Sequence, residues 1–169
     1  MPSDKIVTAA VLIIGNEILS GRTRDANLPF LAQWLNRLGI RVAEARVVPD
    51  DTAAIVGALD ALRQGCDYVF TTGGIGPTHD DITAAAIAKA FGRPIERHPE
   101  AYRRLASHYA PGQFNAARQR MADMPAGASL LDNPVSRAPG FRLDNVFVLP
   151  GVPAILQAMV EGIGPLLTG

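Results

Sequence analysis

The run from Ile6 to Ile14 is apolar at every position but Thr8, and it constrains this chain more than any other feature. A strand points successive side chains to opposite faces, so an apolar run without alternation needs cover on both sides. Comparable short runs rich in Val, Ile and Phe occur at residues 40 to 48, 67 to 72 and 145 to 149. The cover is written between them. Leu28, Leu31, Leu35 and Leu38, then Ile55, Ala58, Leu59 and Leu62, recur at helical spacing and read as amphipathic crossover helices. Strand and helix in alternation give βαβ units, which predicts a three-layer α/β/α fold around a mostly parallel sheet. Ligands of such sheets sit outside the carboxyl ends of the strands, so the site is expected in the loops that follow them.

The rest of the chain completes this reading. Ile82, Ala86, Ile87 and Phe91 define a further helix that Gly92 closes. Residues 98 to 122 are predicted helical, polar and basic, residues 123 to 145 are rich in Pro and Gly with at most short strands, and a C-terminal helix enters through Pro153. Apolar residues make up 48% and charged residues 19%, a globular balance. Lys5 and the apolar run behind it superficially resemble a signal peptide, but Asp4 precedes them and Asn16 and Glu17 stand where a small-residue cleavage site belongs. No apolar run approaches the roughly 20 residues needed to cross a bilayer. Cys66 is the sole cysteine, which excludes an intrachain disulfide and a cysteine-based zinc site and fits a reducing cytoplasm. Zero formal net charge argues against a nucleic-acid coat. The charge is uneven, however. Residues 44 to 81 are acidic, while Arg93, Arg97, Arg103, Arg104, Arg118 and Arg120 make 93 to 120 basic. Those arginines could clamp an anion, but a solvated helix face is their commoner meaning.

The segment "TTGGIGPTHDD", residues 71 to 81, is where chemistry is expected. Gly73, Gly74 and Gly76 remove the side chains that would hold a ligand off the backbone amides. The following helix start favours a phosphate or carboxylate, and Thr71, Thr72 and Thr78 add hydroxyls. An ordinary glycine-rich turn, with Thr78 and Asp81 as a capping box, would read the same way. Neither a P-loop nor a dinucleotide fingerprint fits, because no Lys-Ser/Thr pair and no third glycine follow. Asp80 and Asp81 end the turn, and Asp50 and Asp51 follow the strand at 40 to 48, on the same edge of the sheet. Carboxylates beside a bound phosphate call for a bridging cation, and magnesium is the natural one. One of Asp50 and Asp51 is equally suited to cap the helix near Thr52. "GNEILSG" after the first strand puts Gly15, Asn16, Glu17 and Ser20 on this edge, and Glu17 could accept paired N–H bonds from a base or pterin ring. Pro150 and Gly151 add a rigid turn after the last strand. His79, His98 and His108 lack metal-pair spacing, and no nucleophile elbow is present.

Taken together, these motifs resemble the molybdopterin-binding domain of molybdenum-cofactor biosynthesis proteins. "TTGGIGPTHDDIT" is similar to that family's signature turn and "VVPDD" to its second acidic loop. "GNEILSGRTRDAN", "GGIGPTHDD", "NAARQRM", "NPVSRAPG" and "LPGVP" resemble, in order, the N-terminal domain of competence/damage-inducible CinA proteins. The resemblance implies a phosphate held by Thr72, Gly73, Gly74, Gly76, Pro77 and Thr78, with Gly15, Asn16, Glu17, Ser20, Pro150 and Gly151 around the ligand. It also implies catalytic roles for Asp50 and Asp81 and a divalent magnesium or cobalt ion near Asp50, Asp80 and Asp81. The ligand would be molybdopterin or a nucleotide. Pterin-adenylating members carry basic residues where this sequence has His79 and Asp80, which favours the CinA-type activity, cleavage of a pyrophosphate bond in ADP-ribose-like compounds. CinA proteins commonly continue into an amidase domain. This sequence ends at Gly169, so a single domain over 1–169 is expected and nicotinamide mononucleotide deamidation is not. The relatives' habit of associating implies a homo-oligomer, a trimer or a dimer.

Overall fold

A computed structural model describes residues 5–169; Asp4, used above against a signal peptide, lies outside them. The order is β1 (Val7–Ile14), α1 (Asn16–Leu19), α2 (Asn27–Arg37), β2 (Ile40–Val48), α3 (Thr52–Gly65), β3 (Tyr68–Thr72), α4 (Thr83–Phe91), β4 (Ile95–Arg97), α5 (Pro99–His108), α6 (Ala116–Gln119), β5 (Asp123–Pro125), β6 (Ser129–Leu131), β7 (Gly140–Leu143), β8 (Val146–Leu149) and α7 (Pro153–Ile163).

Six strands form one sheet in the order β2-β1-β3-β8-β7-β6. The first four are parallel to their neighbours, and β7 and β6 continue the sheet antiparallel. The strand β1 explains its own sequence. Ala10, Leu12 and Ile14 enter a core with α3, α4 and α5, while Ala9, Val11 and Ile13 enter a second core with α2 and α7. Period-two geometry sends an unbroken apolar run into both layers. The strands β3 and β8 divide likewise, Val69, Val146 and Val148 to one face, Phe70, Phe147 and Leu149 to the other. Phe70 stacks on Phe147 with centroids 5.0 Å apart, and Trp34 of α2 meets Phe70 edge-on.

The sequence expectation fails for one segment and holds, with more detail, for the next. Residues 98 to 122 are not one basic helix: α5 ends at His108, Tyr109 is extended, and a loop precedes the short α6. Pro111 and Gly112 in that loop account for the break. The Pro/Gly-rich stretch holds the short strands expected of it: β6 and β7 form the antiparallel edge of the main sheet, while β5 pairs with β4 in a separate two-stranded ladder. Most of the arginines are spent on structure. Arg97 pairs with Asp123, Arg103 and Arg104 with Glu100, and Arg118 lies over the Tyr109 ring. No helix among the described residues is long and apolar enough to cross a membrane.

Candidate functional site

At the carboxyl edge of β1, β3 and β8 three lobes open side by side, and Gly74 and Asp81 belong to all of them. The first, about 430 Å³, is acidic: Asn16, Glu17, Asp50, Asp80 and Asp81 line it with Arg22 and His79. The second, about 210 Å³, is apolar, with Pro77, Met121, Met124, Pro139, Phe141 and Pro150 among its walls. The third, about 400 Å³, lies between the α2 start and the turns after β3 and β8, with Asn27, Thr72, Gly73 and Gly151 as walls.

The turn after β3 is shaped by its own packing. Gly73 and Gly74 have φ of +92° and +71°, where L side chains are strained, and a Cβ at Gly73 would run into the Ile14 carbonyl. The Gly73 N–H donates to the Leu149 carbonyl (3.1 Å), so this amide is committed within the sheet, contrary to the anion-binding role expected of it. Thr83 closes the turn from the far side. Its N–H donates to the Gly74 carbonyl (3.0 Å) and its hydroxyl to the Gly73 carbonyl (3.1 Å). Gly74, Ile75 and Gly76 make no backbone hydrogen bond through their amides among the described residues, and they line the apolar lobe.

The helix α4 begins at Thr83 after a cap, Ile82, with no side-chain bond. Asp81 and Thr78 form one half of the alternative capping box, the Asp81 Oδ2 accepting from the Thr78 N–H (2.9 Å), but no helix starts there and Oδ2 also accepts from the Thr78 hydroxyl (2.8 Å). Both Thr78 donors expected to hold a phosphate are thereby spent inside the turn. Gly76 makes room for this clamp, since a Cβ there would stand 2.7 Å from Asp81 Oδ2. Thr71 is corrected too: it is fully buried with its hydroxyl unpartnered, away from the lobes.

On the neighbouring loops Asp51 caps α3 by accepting from the Ala54 N–H (2.9 Å), which frees Asp50 from that task. Asp50 is held by a reciprocal pair. The Asn16 N–H donates to its Oδ2, and its own N–H donates to Asn16 Oδ1, both at 3.1 Å. Glu17 folds over Gly15, where a Cβ would collide with its carboxylate, and borders two lobes. Gly15 therefore shapes the site without lining it. Ser20 is exposed, donates to the Glu17 carbonyl (3.3 Å) and lines none of the lobes. Asp80 is exposed beside His79. Asp50, Asp80 and Asp81 share the acidic lobe, yet no three acidic, His or Cys side chains among the described residues converge tightly enough to hold an ion by themselves.

Several walls went unread in the sequence. Arg22 and Asn27 lie within the "GNEILSGRTRDAN" segment, but neither was assigned a role from the sequence. The apolar lobe is assembled from Met121, Met124 and Phe141, which sit in separate segments, and Arg120 reaches the Pro77 carbonyl (3.4 Å) across it. The basic segment and the motif resemblances over residues 15–27 and 115–121 were the signals that could have found them.

Fold and cleft together define a three-layer α/β domain with its site at the carboxyl edge of a mostly parallel sheet. Comparison with known proteins sharpens this. The chain belongs to the probable molybdopterin binding domain family, whose profile matches residues 10–169. It is 43% identical to a CinA-like protein of Syntrophus aciditrophicus, an alignment covering 93% of this chain and 39% of that protein. It is 42% identical to a Pyrobaculum arsenaticum protein, over 94% of this chain and 63% of that one. The chain thus spans about two fifths of the CinA-like relative. Among solved structures, CinA of Thermoplasma acidophilum superposes with a TM-score of 0.88 at 33% identity, covering 94% of this chain and 96% of that one. The tungsten cofactor synthesizing protein MoaB of Pyrococcus furiosus gives 0.61 at 25%, covering 96% and 93%.

Proposed function

We propose that the cleft binds a diphosphate-linked nucleotide of the ADP-ribose type and hydrolyses its pyrophosphate bond with a divalent ion. The observation that carries this reading is the meeting of three lobes at Gly74 and Asp81. An apolar lobe suits a flat ring, an acidic lobe suits a metal-bridged diphosphate, and the uncommitted amide of Gly74 lies where both meet, with those of Ile75 and Gly76 beside it in the apolar lobe.

The donor set fits a hard cation. Carboxylate oxygens suit magnesium, which is bound through one or two carboxylates plus phosphate and water rather than by an all-protein cage. That agrees with acids which share a lobe without forming a closed cluster. Asp50 and Asp81, each with Oδ2 engaged in a loop bond, would present Oδ1, with Asp80 as an outer partner. When bound, the ion neutralises phosphate charge and lowers the pKa of a coordinated water. The chain itself contributes positioning and charge stabilisation. The Asn16–Asp50 pair fixes one carboxylate, the Thr78–Asp81 clamp fixes the other, and Arg120 stands beside the apolar lobe as a cation for phosphate. Water adds to one phosphorus as the bridging P–O bond breaks and the bridging oxygen leaves on the other phosphate, giving AMP and ribose 5-phosphate from ADP-ribose, with two protons released when both products are dianions.

A second reading, binding of a pterin or nucleotide without turnover, is favoured by the loop bonds that already engage Oδ2 of both Asp50 and Asp81. A molybdopterin adenylyltransferase-like role is a separate alternative, which would turn over by transferring AMP to a pterin phosphate rather than to water. One assay separates them. With magnesium or cobalt and ADP-ribose, the hydrolase releases AMP, and Asp81→Asn, which retains an acceptor for Thr78, abolishes release while keeping the fold. Full activity in that variant would refute the assigned role. No AMP with either ion, together with thermal stabilisation by the ligand, would leave the binding reading in place.

A further inference from the structure

Most arginines of this fold are spent on structure: Arg97, Arg103 and Arg104 pair with acids, and Arg118 and Arg120 donate to carbonyls. Arg22 is not. Among the described residues it is the one arginine in the wall of the acidic lobe, which it shares with the carboxylates of Glu17, Asp50, Asp80 and Asp81. Its side chain is exposed, and among the described residues its guanidinium has neither a hydrogen bond nor a carboxylate within salt-bridge distance. An arginine left unpaired beside four acids is not there to neutralise one of them.

The backbone sets where Arg22 stands. At the end of α1 the Ser20 N–H donates to the Asn16 carbonyl (2.9 Å) and the Gly21 N–H to the Ile18 carbonyl (3.2 Å). The Thr23 N–H then reaches back to the Glu17 carbonyl (3.0 Å). Gly21 has φ +76°, and a Cβ there would meet nothing within 4 Å, so glycine serves the left-handed turn rather than a lack of room. Arg22 is thus carried between two bonded positions of a closed loop. The start of the same short helix is tied to Asp50 by the reciprocal bonds with Asn16. One four-residue helix therefore places both the arginine and a carboxylate assigned to the ion.

The charge balance says what Arg22 is for. Four carboxylates and one divalent ion leave two negative charges in this lobe, and a bridged diphosphate brings more. His79 already lies against Asp80 (3.3 Å) and is charged only when protonated, whereas a guanidinium keeps its charge at any working pH. When water adds to one phosphorus, the electron pair of the bridging P–O bond passes to the oxygen that leaves on the other phosphate. Charge grows there. A planar fork of N–H donors matches phosphate oxygens, and a cation that meets charge as it develops lowers the barrier rather than merely tightening binding.

We propose that Arg22 is a catalytic residue of the pyrophosphate cleavage, its guanidinium donating to the oxygens of the departing phosphate as the bridging bond breaks. The role rests on the hydrolase reading given above.

Arg22→Ala and Arg22→Lys, assayed for AMP release from ADP-ribose with magnesium, test the assignment. Because the side chain is exposed and supports no internal contact among the described residues, both variants should fold. The alanine variant should lose about 10²–10³-fold in kcat, while its affinity for ADP-ribose, read by titration calorimetry with calcium as the added ion, changes less than about threefold. Lysine keeps the charge without the fork and should recover part of the loss. Guanidinium, at a concentration too low to denature, should raise turnover of the alanine variant about tenfold over the same concentration of sodium chloride and leave wild type unchanged. Wild-type kcat in Arg22→Ala, a loss lying wholly in affinity, or lost turnover that guanidinium does not raise overturns the role while the hydrolase reading stands. No AMP from wild type with magnesium or cobalt overturns both.

Discussion

Replacing Gly74 by alanine tests how the phosphate-side turn is built. Gly74 sits at φ +71°, where a Cβ costs about 1–2 kcal/mol. That Cβ would also be driven against Thr83 Oγ1, the hydroxyl that donates to the Gly73 carbonyl at 3.1 Å. Thr83 is fully buried, so displacing its hydroxyl leaves polar groups unpaired away from water, about 1–3 kcal/mol more. The total, about 2–5 kcal/mol, is a large share of the roughly 5–15 kcal/mol that holds a domain together. Thr83→Ala loses that one bond but also removes the obstruction. The double variant Gly74→Ala/Thr83→Ala should therefore be more stable than the sum of the single losses predicts, by about 1–2 kcal/mol. Urea unfolding followed by circular dichroism measures this, with fluorescence of Trp34, packed against Phe70, as a second probe of one transition. Additivity within about 0.5 kcal/mol would refute the clash and with it the account of why glycine occupies this position.

Asp51→Ala should cost about 1 kcal/mol through loss of the α3 cap, whereas Asp50→Ala leaves that cap intact; chemical denaturation of the two variants distinguishes them. Phe147→Ala empties a fully buried ring stacked on Phe70 and should destabilise by about 3–5 kcal/mol, read as a fall in urea midpoint. Hydrogen bonds from Arg103 and then Arg104 hold the Glu100 carboxyl at about 2, below its usual 4.5. A depressed carboxyl stabilises the fold above its unfolded value and loses that contribution as pH falls from about 4.5 to about 2. Glu100→Gln should flatten this part of the acid-stability curve, by a small and salt-sensitive amount because the pair is open to solvent.

What the sequence alone determined is what local geometry writes into residue type. Burial on both faces leaves β1 without polar alternation, so a covered, mostly parallel sheet was legible from Ile6 to Ile14. Left-handed backbone leaves glycine at 73 and 74, so the turn was legible too, as was the capping role shared between Asp50 and Asp51. Short strands such as β6 and β7 carry too few residues to show a period, so short strands could be expected in the Pro/Gly-rich stretch but not placed in the sheet. The hydrogen-bond partners were decided by the tertiary structure. Thr78 looked like a free donor until its clamp on Asp81 appeared, and Gly73 until its N–H met Leu149. Arg22 gained meaning only once the fold left it unpaired beside the acids of the cleft. A sequence fixes which groups can donate and accept, but which of them remain unsatisfied depends on what the fold brings beside them, and a binding site is made from that remainder.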